Sequence, residues 1–277
     1  MTKKLFPIIL LTLPLMLVQL LQGASAQYPS RVISLGPYVT ENLLLLGVDS
    51  EIIGVTIHEK DNIKKGREII GTLLDPNLEA ILKLRPDIVI ASKEGNRKET
   101  VEKIEKLGIR VEVLDEVTTY SDLKKNFLTL ARIFGKQTIA RNIVSDIEKE
   151  LKRYTSQQQK SQKKIFWQLG TKPLVTAGSK TYFNELSVYS GSKNIFDDIK
   201  TKYITVNIEE VIKRNPEVII AIGMGENEYV INFWKQFKDI DAVKKNKIFR
   251  VDDYMFCSPT PASFLQSIKL LTDLLNN

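Results

Sequence analysis

"NLEAILKLRPDIVIA" spans Asn77 to Ala91, and "NIEEVIKRNPEVIIA" spans Asn207 to Ala221. Asn, Glu, Lys, Pro, Ile and Ala recur in register, and most other positions exchange like for like. In each copy an Asn suited to a helix N-cap precedes apolar residues at helical spacing: Leu78, Ile81 and Leu82 in the first, Ile208, Val211 and Ile212 in the second. Pro86 and Pro216 stop the helices, and "DIVIA" and "EVIIA" then supply buried strands. The chain therefore writes one helix-turn-strand unit twice.

A weaker echo accompanies it. "ISLGPYVTENLLLLGV" from Ile33 and "VTAGSKTYFNELSVYSG" from Val175 both read as strand, Gly turn and helix, and both precede the repeated unit. Short β-branched runs alternate with helical stretches, "RVISL", "EIIGVT", "DIVIAS" and "RVEVLD" early, then "KIFWQL", "LVTAG", "EVIIAI" and "KIFRVD". Such alternation predicts parallel sheets covered by helices. Between the two sets, Phe127, Leu130, Ile133, Ile139, Ile143, Ile147 and Leu151 keep helical spacing, with Gly135 separating two helices. The expected organisation is an α/β protein of two related, Rossmann-like lobes, residues 27–120 and 164–277, joined by a helical segment at 121–163.

The first residues differ in kind. Lys3 and Lys4 lead into "LFPIILLTLPLMLVQLL", which ends at Ala24-Ser25-Ala26, a small-x-small pattern. This reads as a secretory signal over residues 1–26, cut after Ala26, with an uncleaved anchor as the alternative. The mature protein is then expected outside the cytoplasmic membrane, in a periplasmic setting. One cysteine, Cys257, excludes an internal disulfide and a Cys-rich metal site, and reads as a free buried or half-buried thiol. The net charge of +7 is spread among acids rather than gathered in blocks, so no nucleic-acid footprint is visible.

Two similar lobes create a cleft lined by the loops after the strands. The candidates there are Pro37 and Tyr38 after the first strand, Ile57 and His58 after the second, and Leu73 in "GTLLDPN". Ser92 and Lys93 follow "DIVIA", Tyr203 precedes the second repeat, and Asp253 and Tyr254 follow "KIFRVD". No catalytic constellation accompanies them: His58 is the single histidine, and no HExxH, GxSxG, P-loop or GxGxxG sequence occurs. A binding protein rather than an enzyme is expected, with no metal site and no cofactor of its own.

The stretches "RVISLGPYVTENLLLLGVDSEIIGVT", "GTLLDPNLEAILKLRPDIVIAS", "FWQLGTKPLVTAG" and "VNIEEVIKRNPEVIIAI" resemble the periplasmic binding proteins of ABC importers for cobalamin, ferric siderophores and haem, closest to the cobalamin-binding members. The resemblance implies two α/β lobes joined by a single long rigid helix, and little lobe closure. It implies a monomer that carries a metal chelate to a permease dimer with its ATPase: a corrinoid first, a ferric siderophore or haem as the alternative. A module that reports ligand to a membrane receptor would look the same. It also gives the repeated phrase a purpose, because Glu79 and Glu209 match the glutamates that pair with arginines on the two permease copies. Positions where cobalamin-binding members carry aromatic side chains hold Ile57, Leu73, Leu174 and Ser92 here, whereas Tyr203 and the Asp253-Tyr254 pair keep rings.

Overall fold

The structure, a computed structural model, describes residues 28–157, 162–222 and 227–276. The leader read at residues 1–26 lies outside the described residues. In the first lobe the order is β1 (Val32–Ser34), α1 (Pro37–Leu45), β2 (Ile52–Val55), α2 (Asp61–Lys64), β3 (Glu68–Ile69), α3 (Leu78–Leu84), β4 (Ile88–Ser92), α4 (Lys98–Lys106) and β5 (Val111–Leu114). These strands form one parallel sheet in the order β3-β2-β1-β4-β5. Every residue of β1 and β4 is buried, as expected of central strands with helices on both faces. Val32, Ile88 and Ile90 pack toward α1, while Ile33, Val89 and Ala91 pack toward α3 and α4.

The connection consists of α5 (Tyr120–Ile133) and α6 (Gln137–Gln157), which turn back on each other at Gly135, whose φ is +67°. Thr119 and Asp122 form a capping box that fixes the start of α5: the Thr119 hydroxyl accepts from Asp122 N at 3.2 Å, and the Asp122 carboxylate accepts from Thr119 N at 2.9 Å. Tyr120 and Leu123 of α5 belong to the core of the second lobe, and Phe127, Leu130 and Ala131 to that of the first. The long α6 runs the other way, with Ala140 and Val144 in the first core and Ile147 and Leu151 in the second. So α6 is the crossing helix, about 30 Å long by its 21 residues, and α5 lies against it. The bridge is a packed helix pair rather than the single helix that the resemblance implies.

The second lobe continues with β6 (Lys164–Gln168), β7 (Gly170–Thr171), β8 (Leu174–Ala177), α7 (Tyr182–Tyr189), β9 (Lys193–Asn194), β10 (Tyr203–Thr205), α8 (Ile208–Arg214) and β11 (Val218–Ala221). It ends with α9 (Asn227–Lys235), α10 (Asp241–Lys244), β12 (Ile248–Arg250), α11 (Asp253–Cys257) and α12 (Pro261–Asn276). A parallel sheet of order β12-β11-β6-β9 is joined by an antiparallel ribbon, β10-β8-β7. The ribbon departs from the all-parallel expectation for "LVTAG". Only Lys172 and Pro173 separate β7 from β8, and two residues can return a strand only antiparallel.

The repeated phrase folds twice in the same way. Asn77 Oδ1 accepts from Ala80 N at 3.0 Å and Asn207 Oδ1 from Glu210 N at 2.8 Å. Both seven-residue helices end on a left-handed residue, Arg85 at φ 47° and Asn215 at φ 48°. The strand that follows then pairs beside the first strand of its own sheet, β4 beside β1 and β11 beside β6.

Candidate functional site

In the first lobe the sheet order changes direction between β1 and β4, and a crevice opens at the carboxyl ends of strands beside such a switch point. Pro37 and Tyr38 stand there at the start of α1, and Ser92 at the end of β4. Buried Asn96 ties three backbone segments together at this point. Its Oδ1 accepts from Ser92 N at 2.8 Å, and its Nδ2 donates to the carbonyls of Leu35 at 3.0 Å and Leu73 at 2.9 Å. Leu73 is confined as well: a Cβ on Gly36 would lie 2.5 Å from its Cδ2, and one on Gly95 would lie 2.9 Å from it.

The second lobe supplies the facing wall. Thr181 caps α7, accepting from Asn184 N at 3.2 Å and donating to Gly178 O at 2.8 Å, which sets Tyr182 and Phe183 at the helix start. Gly178 N donates to Lys202 O at 2.6 Å, holding the 199–202 loop against β8 so that β10 begins at Tyr203. Phe256, Cys257, Ser258 and Pro259 close this side. The cavity between the two walls, open to solvent on one side, has a volume of about 300 Å³ and spans both lobes, with Glu94 and Val117 completing the first wall. Its lining is mainly apolar and aromatic.

Direct bonds cross between the lobes around it. The Tyr203 hydroxyl donates to Glu94 Oε1 at 3.3 Å, and the Lys202 ammonium pairs with Glu116. Asn42 Nδ2 donates to Pro259 O at 3.0 Å, and the Tyr254 hydroxyl donates to Glu59 Oε2 at 2.9 Å. Desolvation raises the carboxyl pKa of Glu94, although the side chain keeps surface open within the cleft. Desolvation likewise raises the phenol of Tyr38, which accepts a hydrogen bond from Asn126 Nδ2 at 3.0 Å. The Cys257 thiol is accessible rather than buried or half-buried, yet the surrounding protein desolvates it and pushes its pKa up to about 11, so it is a neutral thiol.

Five of the residues singled out in the sequence, Pro37, Tyr38, Leu73, Ser92 and Tyr203, line this cavity. Three do not. His58 is exposed outside it, in the turn that follows β2, where the neighbouring Glu59 is the buried residue. Asp253 and Tyr254 also lie off the lining, because the chain after β12 coils into α11 and turns Tyr254 toward Glu59. Lys93 is engaged by Asp115 at 2.6 Å, Ile57 is exposed, and Leu174 packs in the second lobe's own core. Glu79 and Glu209 are exposed at the second residue of α3 and α8. Glu94, Tyr182, Phe183 and the 256–259 wall were not read from the sequence. "SKEGN" after a buried strand was the local sign for Glu94, since Asn and Gly there mark a tight turn.

Two α/β lobes that meet around an apolar cavity, joined by a helical bridge, define a two-lobed ligand-binding protein. Residues 32–255 match the family model described as periplasmic binding protein, and the chain belongs to that family. A ligand and an ABC transporter are the partners that membership implies. The chain is 28% identical over 235 residues to the vitamin B12-binding protein of Vibrio parahaemolyticus, covering 83% of this chain and 84% of that one. Among solved structures, the periplasmic vitamin B12-binding protein of Vibrio cholerae superposes with a TM-score of 0.76 at 23% identity, over 90% of this chain and 97% of that one. The periplasmic haem-binding protein of Vibrio cholerae superposes with a TM-score of 0.79 at 21% identity, over 89% and 99%. These two likenesses establish the shared fold.

Proposed function

We propose that this protein captures a cobalamin-type corrinoid in the cleft between its lobes and delivers it to the permease dimer of an ABC importer. The observation that carries the reading is the apolar, two-walled cavity at the strand ends. The relative named as a vitamin B12-binding protein supports the choice of ligand. The proposed route is export with cleavage after Ala26, folding of residues 27–120 and 164–277 as the two lobes around the 121–163 segment, and action as a monomer.

A cavity of about 300 Å³ lies at the lower end of the usual range for small-molecule sites. A corrin ring with its side chains is larger than this space, and in this reading the lobes part at the rim to admit it. The contacts that must yield are Tyr203 with Glu94 and Lys202 with Glu116, and the helix pair restricts how far the lobes then move. Glu79 and Glu209, displayed identically on the two lobes, are the proposed docking points for the two permease copies.

Haem and ferric siderophores form the second reading, favoured by one feature of the cleft: Leu73 and Ser92 stand on its walls where the cobalamin-binding members carry rings. The test is titration of the purified mature protein with cyanocobalamin, haem and an iron-loaded hydroxamate siderophore, followed by visible absorption and calorimetry. Saturable one-to-one binding of cyanocobalamin at submicromolar affinity is expected. Silence toward cyanocobalamin with binding of haem or the siderophore would reject the corrinoid and keep the second reading.

A further inference from the structure

Whichever chelate enters, the charge on the cavity wall restricts its periphery. Among the described residues that line the cavity none is Lys, Arg or His, and Glu94 is the one carboxylic acid. Two cations of the neighbouring segments have acidic partners: Lys202 pairs with Glu116 while its charge also reaches Glu94, and Lys93 pairs with Asp115 at 2.6 Å. The remaining polar side chains, the hydroxyls of Tyr38, Tyr182, Tyr203, Ser92 and Ser258 and the neutral Cys257 thiol, carry no charge. An acidic wall is not a consequence of composition, since the whole chain carries a net charge of +7.

We propose that Glu94 is a specificity-determining residue that makes the cleft accept neutral or cationic chelates with amide or amine groups at their edge and reject those bearing carboxylates. The Glu94 carboxylate takes a hydrogen bond from Tyr203, at 3.3 Å, and has the Val117 backbone N–H as a second donor, and a carboxylate has room for more. Amide or ammonium N–H groups of a ligand satisfy that capacity when the rim opens. A ligand carboxylate instead meets a like charge in a partly desolvated site whose lining residues include no cation. The inference rests on the reading that the cleft binds a metal chelate, but not on which one.

Two matched pairs test it by calorimetry on the mature protein. Cobinamide and cobyrinic acid share a corrin ring but differ in amide against carboxylate side chains. Ferrioxamine B and ferric citrate are iron chelates of opposite charge. The expected result is that the amide or cationic member of a pair binds at least about tenfold tighter, with the preference shrinking in high salt. In Glu94→Gln, whose carboxamide oxygen still accepts from Tyr203, the preference should fall to within about threefold. Equal binding within a pair, or a preference unchanged in Glu94→Gln, would overturn the proposal while leaving the chelate reading intact. Discrimination within the iron pair alone would sustain the proposal and discard the corrinoid. Silence from all four would discard both.

Discussion

The Tyr254 hydroxyl of the second lobe donates to Glu59 Oε2 of the first at 2.9 Å, and Glu59 is only 3% exposed. The Thr40 hydroxyl donates to the other carboxylate oxygen at 2.8 Å, and the Lys60 ammonium sits 4.1 Å from the centre of the Tyr254 ring. One buried carboxylate therefore collects donors from both lobes and fastens them at a point away from the cavity lining. Tyr254→Phe keeps the ring and removes the donor, leaving a buried charge underpaired. A loss of about 1–3 kcal/mol in unfolding free energy is expected from urea denaturation. An unchanged midpoint would mean that this contact does not hold the lobes in solution.

The same carboxylate sets a pH dependence. Burial raises the Glu59 pKa above its ordinary 4.5, against the opposing pull of Thr40 and Tyr254. The folded protein then binds the proton more tightly than the unfolded chain does. Its contribution to stability is fully present below pH 4.5 and is lost as pH rises through the folded value. Asp115 has the opposite sign: Lys125 and Lys93 lower it to about 2, so its contribution is present above 3.8 and fades as pH falls. That pair is exposed, and screening keeps its effect small. The difference in unfolding free energy between wild type and Glu59→Gln should shift toward wild type on acidification. A difference that stays constant from about pH 7 down to about pH 4.5 would refute the assignment.

Gly95 bears on ligand affinity through Leu73. A Cβ at Gly95 would lie 2.9 Å from Leu73 Cδ2 and 3.3 Å from Ser92 Oγ, and Gly36 blocks Leu73 from another side. The cavity that Leu73 lines is the open space beside it, and the side chain is expected to yield into it. Gly95→Ala should therefore weaken binding of cyanocobalamin about tenfold while costing no more than about 1–3 kcal/mol of stability. Titration and thermal unfolding of the same sample separate the two effects. Undiminished affinity would show that Leu73 has another way out.

What the sequence disclosed was local. The helix-turn-strand unit was legible because its signals lie within a few residues of one another: Asn77 and Asn207 as caps, Pro86 and Pro216 as stops, and β-branched runs beyond. Pro37, Tyr38, Leu73, Ser92 and Tyr203 were legible for a similar reason, since they flank strands and cleft loops follow strand ends. The rest depended on contacts distant in sequence. The ribbon exists because β10 pairs with β8 across a whole helix and loop, and Asn96 matters because it reaches Leu35 and Leu73. His58 and Glu59 are adjacent letters facing opposite ways, and periodicity in an irregular loop does not fix which one turns inward.

The docking role of the repeated glutamates can be separated from ligand capture. Glu79 and Glu209 follow Asn caps on helices of equal length, and both are exposed. An acid in the first turn is favoured by the helix dipole, so a purely local role predicts a stability loss of under about 1 kcal/mol and no other effect. A docking role predicts something different. With Glu79→Gln and Glu209→Gln together, chelate affinity should match wild type, because neither residue lines the cavity. Transport through the cognate permease in vesicles should fall by about tenfold or more, and each single substitution should produce part of that loss. Charged contacts steer encounter, so the wild-type rate should also drop with salt while the double variant responds less. If the double variant transports at the wild-type rate, the phrase is repeated for folding alone, and the permease must recognise another surface.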